Sequence, residues 1–330
     1  MIGRRGTLSE RASERTSPPA TRQFFVAVAC HTKSKTKGDE ERVVRFRRDV
    51  VLTRLASGLA PHADDAQQTR IARETYTYAA LSLLWLLRLR SFPNPQQLVD
   101  VAADDDTRSC LKAMTAQLAN GEAPLHAIIT AGHVGTRESE PDSPLACFWE
   151  LLPAALARPV VPVHTQWIVY RPLHDRALDE LDKNCFGLLR DVLQRPNAEG
   201  DAGQLVGIVA DQRCSSAHTR AEVTFLGQPT HFPTGAARLH LETGATLWFA
   251  ALLHDKRFYE TSDPAEKPFR LILRPVKLAS ATESSSVMET TALVQTYASM
   301  LEQVVVEHPE QYLWMHDLWN EKRRVSMRVD

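Results

Sequence analysis

The chain is 330 residues long, enough for one large domain or two ordinary ones, each with a proper apolar core. A formal net charge of −1 with 43% hydrophobic residues excludes a basic field for coating nucleic acid and a disordered acidic composition. The five cysteines, Cys30, Cys110, Cys147, Cys185 and Cys214, are odd in number and form no C-x-x-C pair, which favours reduced, buried thiols over a disulfide framework or a zinc site.

Residues 1–42 are rich in Arg, Ser, Thr and Lys and read as a polar, flexible leader. One domain is expected over 43–330, helical over 43–122 and α/β over 123–330. RRDVVLTRLASGL predicts a first helix, and Ala66 to Arg90 a long amphipathic one. The tail of that helix, AALSLLWLLRLR, is apolar nearly all round. It either packs under the domain or enters a bilayer interface with Arg88 and Arg90 at head-group level. No stretch reaches the roughly 20 apolar residues that a spanning helix needs. SFPNP breaks the helix, and DDTRSCLKAMTAQLANG predicts another, capped by Asp106 and stopped by Gly121.

From there short apolar runs, HAIIT, QWIVY, LVGIVA, TLWFAALL and FRLILRPV, alternate with helical stretches, PLACFWELLPAALA, ALDELDKNCFGLLRDVL and PTGAARLHLETG. The alternation implies an α/β fold with a central, mostly parallel or mixed sheet flanked by helices. ETTALVQTYASMLEQVVVEHP predicts a long closing helix.

There is no G-x-S-x-G elbow, G-x-G-x-x-G, Walker loop or H-E-x-x-H, which removes the usual hydrolase, dinucleotide, nucleotide and zincin readings. AGHVGTRE, residues 131–138, carries a different signal. A histidine at a strand's C-terminal end, then a glycine turn and a carboxylate at a helix start, suits a base and its orienting partner. The carboxylate fixes one ring nitrogen, and the other takes a proton from a hydroxyl. Two acids compete for that place, Glu138 and Glu150.

Four further segments, in order, carry a resemblance: IVYRPLHDRALDEL (168–181), VGIVADQ (206–212), VTFLGQPTHFPTGAARLHLETGA (223–245) and HPEQYLWMHDLWNEKRR (308–324). They resemble "VYRP-x-x-N-x-x-LD", "Gly-x-x-x-Asp-Gln", "F-x-G-x-x-A-x-x-PTG-x-A-x-LA-x-x-TGA" and "HPEQW-x-W-x-H-x-R-W" of the late acyltransferases of lipid A biosynthesis, the H-x4-D/E lauroyl/myristoyl transferases. Asp175, Thr230, His240 and Leu318 depart from these patterns, and the polar leader stands where most relatives begin with an apolar anchoring helix. Glu138 keeps the family's four-residue spacing. Trp149 and Glu150 reproduce its tryptophan and glutamate pair, lead into LLPAALARP, and lie at the usual distance from Tyr170, Arg171 and Pro172. The second reading loops out residues 136–147, at little closure cost, and is preferred.

The resemblance implies a glycerolipid-acyltransferase-like fold with a helical N-terminal subdomain, working at the cytoplasmic face of the inner membrane. It implies transfer of an acyl chain from an acyl carrier protein or acyl-CoA thioester to a hydroxyl of a lipid A precursor or related glycolipid. His133 is the general base, and no metal or organic cofactor is required. Thr234 and Gly235 open a helix whose N–H groups suit an anion, or simply a Pro-started helix. Arg171 suits phosphate, as do Arg323 and Arg324, for which solvated surface charge is equally economical. Asp211 lies at a strand's carboxyl end, where α/β folds put functional groups and where a carboxylate also caps turns. Trp314, His316 and Trp319 are expected to pack the last helix. Two alternatives stand beside this: another membrane-lipid acceptor, or a degenerate lipid- or carrier-binding homologue with neither glutamate near His133.

Overall fold

The computed structural model describes residues 48–89, 95–101, 104–119, 126–132, 163–169, 179–194, 203–211, 219–254, 267–278, 286–315 and 319, with the side chains of 80–89, 95–96, 114–119, 163–169, 179–185, 203 and 205 left aside. Two helices come first, α1 (Arg48–Leu59) and α2 (Asp65–Leu89). A 3-10 turn at Pro95–Leu98 leads to the two-residue strand β1 (Val99–Asp100), then to α3 (Asp105–Ala119). Strands and helices then alternate: β2 (Ala127–Ala131), β3 (Val163–Val169), α4 (Asp179–Gln194) and β4 (Gly203–Val209). A hairpin, β5 (Arg220–Phe225) and β6 (Gln228–Pro233), precedes α5 (Gly235–Thr243) and β7 (Thr246–His254). β8 (Phe269–Pro275) and α6 (Ser286–Glu307) close the order, followed by a 3-10 turn at Pro309–Gln311. Among the described helices none is long and apolar enough to cross a membrane.

Six strands form one sheet in the order β1-β8-β7-β2-β4-β3. β2 pairs in parallel with β4 on one side, Ile128 opposite Val206, and with β7 on the other, Ile128 opposite Leu247. β3 continues the parallel run beyond β4, and β8 turns antiparallel against β7. This is the mostly parallel, mixed α/β architecture that the alternation implied. All five residues of β2 and eight of the nine in β7 are buried, as expected of central strands covered on both faces.

α6 buries Leu293, Val294, Tyr297, Ala298, Leu301, Val304 and Val305, a three-and-four spacing that turns one stripe inward. At about 1.5–3 kcal/mol for each large apolar side chain removed from water, that stripe is a principal contributor to the core. Phe232 and Phe249 meet Tyr297 at ring distances of 5.9 and 5.8 Å, tying hairpin, sheet and α6 together.

Two local features differ from the expectation. The cap of α3 is Asp104, not Asp106: its carboxylate accepts from the Thr107 backbone N–H at 2.8 Å and from the Thr107 hydroxyl at 2.6 Å. Asp106 instead faces Arg274, 3.7 Å away. The reason is register, since the capping bond reaches three residues forward and Thr107 is three residues beyond Asp104. The hairpin is the second difference, since no strand was expected over 220–233. Ala221, Val223 and Phe225 point inward from β5, Thr230 and Phe232 from β6, alternating with exposed Glu222, Thr224, Pro229 and His231.

The helix expected over PLACFWELLPAALA lies outside the described residues, as do the residues before 48.

Candidate functional site

The four parallel strands β7, β2, β4 and β3 direct their C-terminal ends to one edge of the sheet. The chain leaving β2 leads to β3 on one side, while that leaving β7 leads to β8 on the other. Such a parting of connections is where open α/β sheets hold ligands.

At that edge β2 ends at Ala131 and is followed by Gly132, and β4 ends at Val209 and is followed by Ala210 and Asp211. The Ala210 N–H donates to the Ala131 carbonyl at 3.0 Å, so the two ends are locked side by side. Gly132 has no room for a side chain: a Cβ there would lie 2.7 and 2.8 Å from the Leu301 methyls and 3.1 Å from Oδ2 of Asp211. The Asp211 carboxylate therefore rests against the backbone of the residue just before His133. It is buried, at 4% exposure, and the Tyr312 hydroxyl donates to its Oδ2 over 3.4 Å. The Tyr297 hydroxyl donates to the Ala131 carbonyl at 3.1 Å. Burial, then the Asp211 charge, pushes both phenols well above their ordinary range. They consequently stay protonated and act as fixed donors.

Helix α5 is the second component. Gly244, at φ 72°, ends it in the left-handed conformation that glycine tolerates. The His240 Nδ1–H reaches the Ala245 carbonyl at 2.6 Å, and β7 begins at once with Thr246 beside the first residue of β2. A helix that hands over to β7 at the N-terminal edge, and packs along β2 and β7, aims its own N-terminus toward the C-terminal edge. There Thr234 holds the N-cap position without a side-chain capping bond, and its buried hydroxyl has no hydrogen-bond partner among the described residues. The space where a Gly235 side chain would stand is open for 4 Å. First-turn N–H groups have no intrahelical acceptor, so this end presents backbone donors and the positive end of the helix dipole.

The segment after α6 ties the C-terminal region to the same edge. Gln311 holds both backbone groups of His254, accepting from its N–H at 2.9 Å and donating to its carbonyl at 3.1 Å. Arg270 donates to Nε2 of His308 at 2.8 Å. Burial and the Arg270 charge hold the His308 imidazole below its ordinary range. Trp314 is fully buried, donates to the Pro309 carbonyl at 2.7 Å, and its own carbonyl accepts from the buried Arg54 of α1 at 2.8 Å. Trp319 is buried as well.

Of the residues singled out from sequence, Asp211 stands beside Gly132 at the sheet edge, and Thr234 with Gly235 opens α5. His133, Glu138, Glu150, Arg171, His316, Arg323 and Arg324 lie outside the described residues. Tyr297 and Tyr312 were not anticipated. Tyr297 is hidden in a helical apolar stripe, where an aromatic residue reads as packing. Tyr312 sits in HPEQY, in place of the tryptophan of the family's motif.

Comparison with known proteins adds one match. Residues 197–321 fit the family model of bacterial lipid A biosynthesis acyltransferases. The matched stretch runs from β4 to the turn after α6 and includes Asp211, Thr234, Gly235 and Tyr312, but none of residues 133–171. No curated protein matches the chain.

Proposed function

We propose that the chain is an O-acyltransferase with His133 as its general base, a reading supported by the match of residues 197–321 to the family model of bacterial lipid A biosynthesis acyltransferases. The acceptor is a hydroxyl on a lipid A precursor or related glycolipid, and the donor is the thioester of an acyl carrier protein or of coenzyme A. The imidazole takes the hydroxyl proton as the oxygen attacks the thioester carbonyl. The tetrahedral intermediate collapses with loss of the C–S bond, and the imidazolium returns its proton to the leaving thiolate. Glu150, or Glu138 in its place, fixes the tautomer and stabilises the imidazolium. Arg171 and Asp211 serve the acceptor side, and the α5 N-terminus at Thr234 and Gly235 serves an anionic group, either a substrate phosphate or the developing oxyanion. The reaction takes place at the cytoplasmic face of the inner membrane, to which the protein attaches peripherally.

The family match is the observation that carries this reading. The arrangement of Gly132 and Asp211 supports it, because Asp211 abuts Gly132 at the edge where the chain continues into His133, and the α5 N-terminus is directed toward the same edge. Residues 136–147, which separate His133 from Glu150, favour one second reading, a homologue that binds acyl chains or their carrier without turnover.

Purified protein incubated with labelled acyl carrier protein, acyl-CoA and a panel of lipid acceptors distinguishes the readings. Acyl transfer to a lipid A precursor is expected. The His133→Ala variant should lose it by about 100-fold or more with an unchanged thermal melt. Turnover unaffected by that substitution rejects the mechanism, transfer only to a phospholipid redefines the acceptor, and donor binding without transfer supports the second reading.

A further inference from the structure

Beneath the C-terminal edge of the sheet lies a polar cluster that is almost wholly withdrawn from water. Asp211 is 4% exposed, Tyr297 3% and Tyr312 1%. These groups come from three separate places: the end of β4, the middle of α6 and the segment after it. Among the described residues, the titratable or charged groups facing one another there are Asp211, Tyr297, Tyr312 and Arg54 of α1. Thr130 of β2 is buried beside Tyr297.

Each phenol commits its hydroxyl to one of the two adjacent strand ends. Tyr297 holds the Ala131 carbonyl, at 3.1 Å, and Tyr312 holds the Asp211 carboxylate, at 3.4 Å. Their rings are fixed by packing, Tyr297 on Phe232 and Phe249, and Tyr312 on Phe225 and Trp314 at 5.9 and 5.2 Å. The hydroxyls are therefore delivered from rigid supports. The Asp211 carboxylate in turn abuts Gly132, with Oδ2 only 3.1 Å from where a Cβ would stand.

We infer that Tyr312 is a positioning residue: its hydroxyl fixes the Asp211 carboxylate against Gly132 and thereby sets the direction in which the chain leaves β2 toward residue 133. In a buried setting a misplaced carboxylate is costly, so a single hydroxyl has leverage over where it sits. The kinetic consequence rests on the acyl-transfer reading, whereas the contact with Asp211 does not.

The test uses full-length protein labelled with carbon-13 at the aspartate carboxyls. NMR titrations of the wild type and Tyr312→Phe are compared, with Asp211→Asn identifying the Asp211 resonance. Loss of the hydroxyl should move the Asp211 midpoint upward, because a hydrogen bond to the ionised form favours it. In acyl transfer, kcat should fall about tenfold, the equivalent of one hydrogen bond to a charged group, with donor KM within about twofold. If Tyr312→Phe does not fold, 3-fluorotyrosine at position 312 preserves the shape and strengthens the donor, and the midpoint should move downward. An unmoved Asp211 resonance overturns the contact, whatever the enzymology. A moved resonance with unchanged kcat overturns the positioning role. A moved resonance in a wild-type protein that acylates no lipid acceptor retains the contact and rejects the acyltransferase reading instead.

Discussion

Gly132 shows how one residue without a side chain makes the candidate site possible. The Leu301 methyls and the Asp211 carboxylate occupy the volume that a Cβ would need, and both belong to buried, well-packed elements. Gly132→Ala should therefore cost about 1–3 kcal/mol, the usual penalty of overpacking, measured as a lower urea midpoint with unchanged m-value. Asp104 is a second case. Burial raises its carboxyl pKa, but the Thr107 hydrogen bonds and the nearby Arg274 charge lower it further, and the net position is below the ordinary value. The stabilisation it supplies is thus complete above the unfolded pKa of 3.8 and is lost as pH falls through the lower folded value. The places of Asp211 after a strand and of Thr234 and Gly235 at a helix start were legible in sequence because strand ends and Pro-started helices announce themselves locally. Tyr297 and Tyr312 were not, since what makes them polar partners is which strand end each hydroxyl meets, over separations of 166 and 101 residues.

The β5–β6 hairpin repays attention at the scale of an element. Its turn places Leu226 at φ 52° and Gly227 at φ 69°, the positive pair that matches the twist of a two-residue hairpin. Leucine in that region is strained by about 1–2 kcal/mol, offset by burial against Gly58 of α1 and Trp319, and by the Glu302 carboxylate accepting from its N–H at 2.6 Å. The Gln295 amide of α6 adds two bonds to Thr224, accepting from its N–H at 2.8 Å and donating to its carbonyl at 3.0 Å. A helix side chain here completes the edge of a strand. Gln295→Ala should cost about 1 kcal/mol and raise hydrogen exchange at Thr224 while sparing β2. The fully apolar strands and periodic helices were readable from pattern, for example Leu247 to Leu253 in β7 and the inward stripe of α6. The hairpin was not, because Glu302 and Gln295 supply from another element what its own residues lack.

Across the whole molecule, pH reports on how the last segment is seated. His308 is held neutral between burial and the Arg270 guanidinium, with its pKa below 6.5. The unfolded chain binds more protons once pH drops below that value, so stability is fully present above pH 6.5 and declines as pH falls toward the lower folded pKa. Urea midpoints recorded from pH 8 to pH 5 should show this decline. His308→Gln, which retains an acceptor but does not titrate, should flatten it; a slope unchanged in that variant assigns the effect elsewhere. The Gln311 grip on His254 has another consequence, in the order of synthesis. At the buried end of β7 the N–H and carbonyl of His254 are both met by a side chain 57 positions later. Until Gln311 has cleared the ribosomal exit tunnel, the nascent chain lacks the side chain that clasps this end of β7.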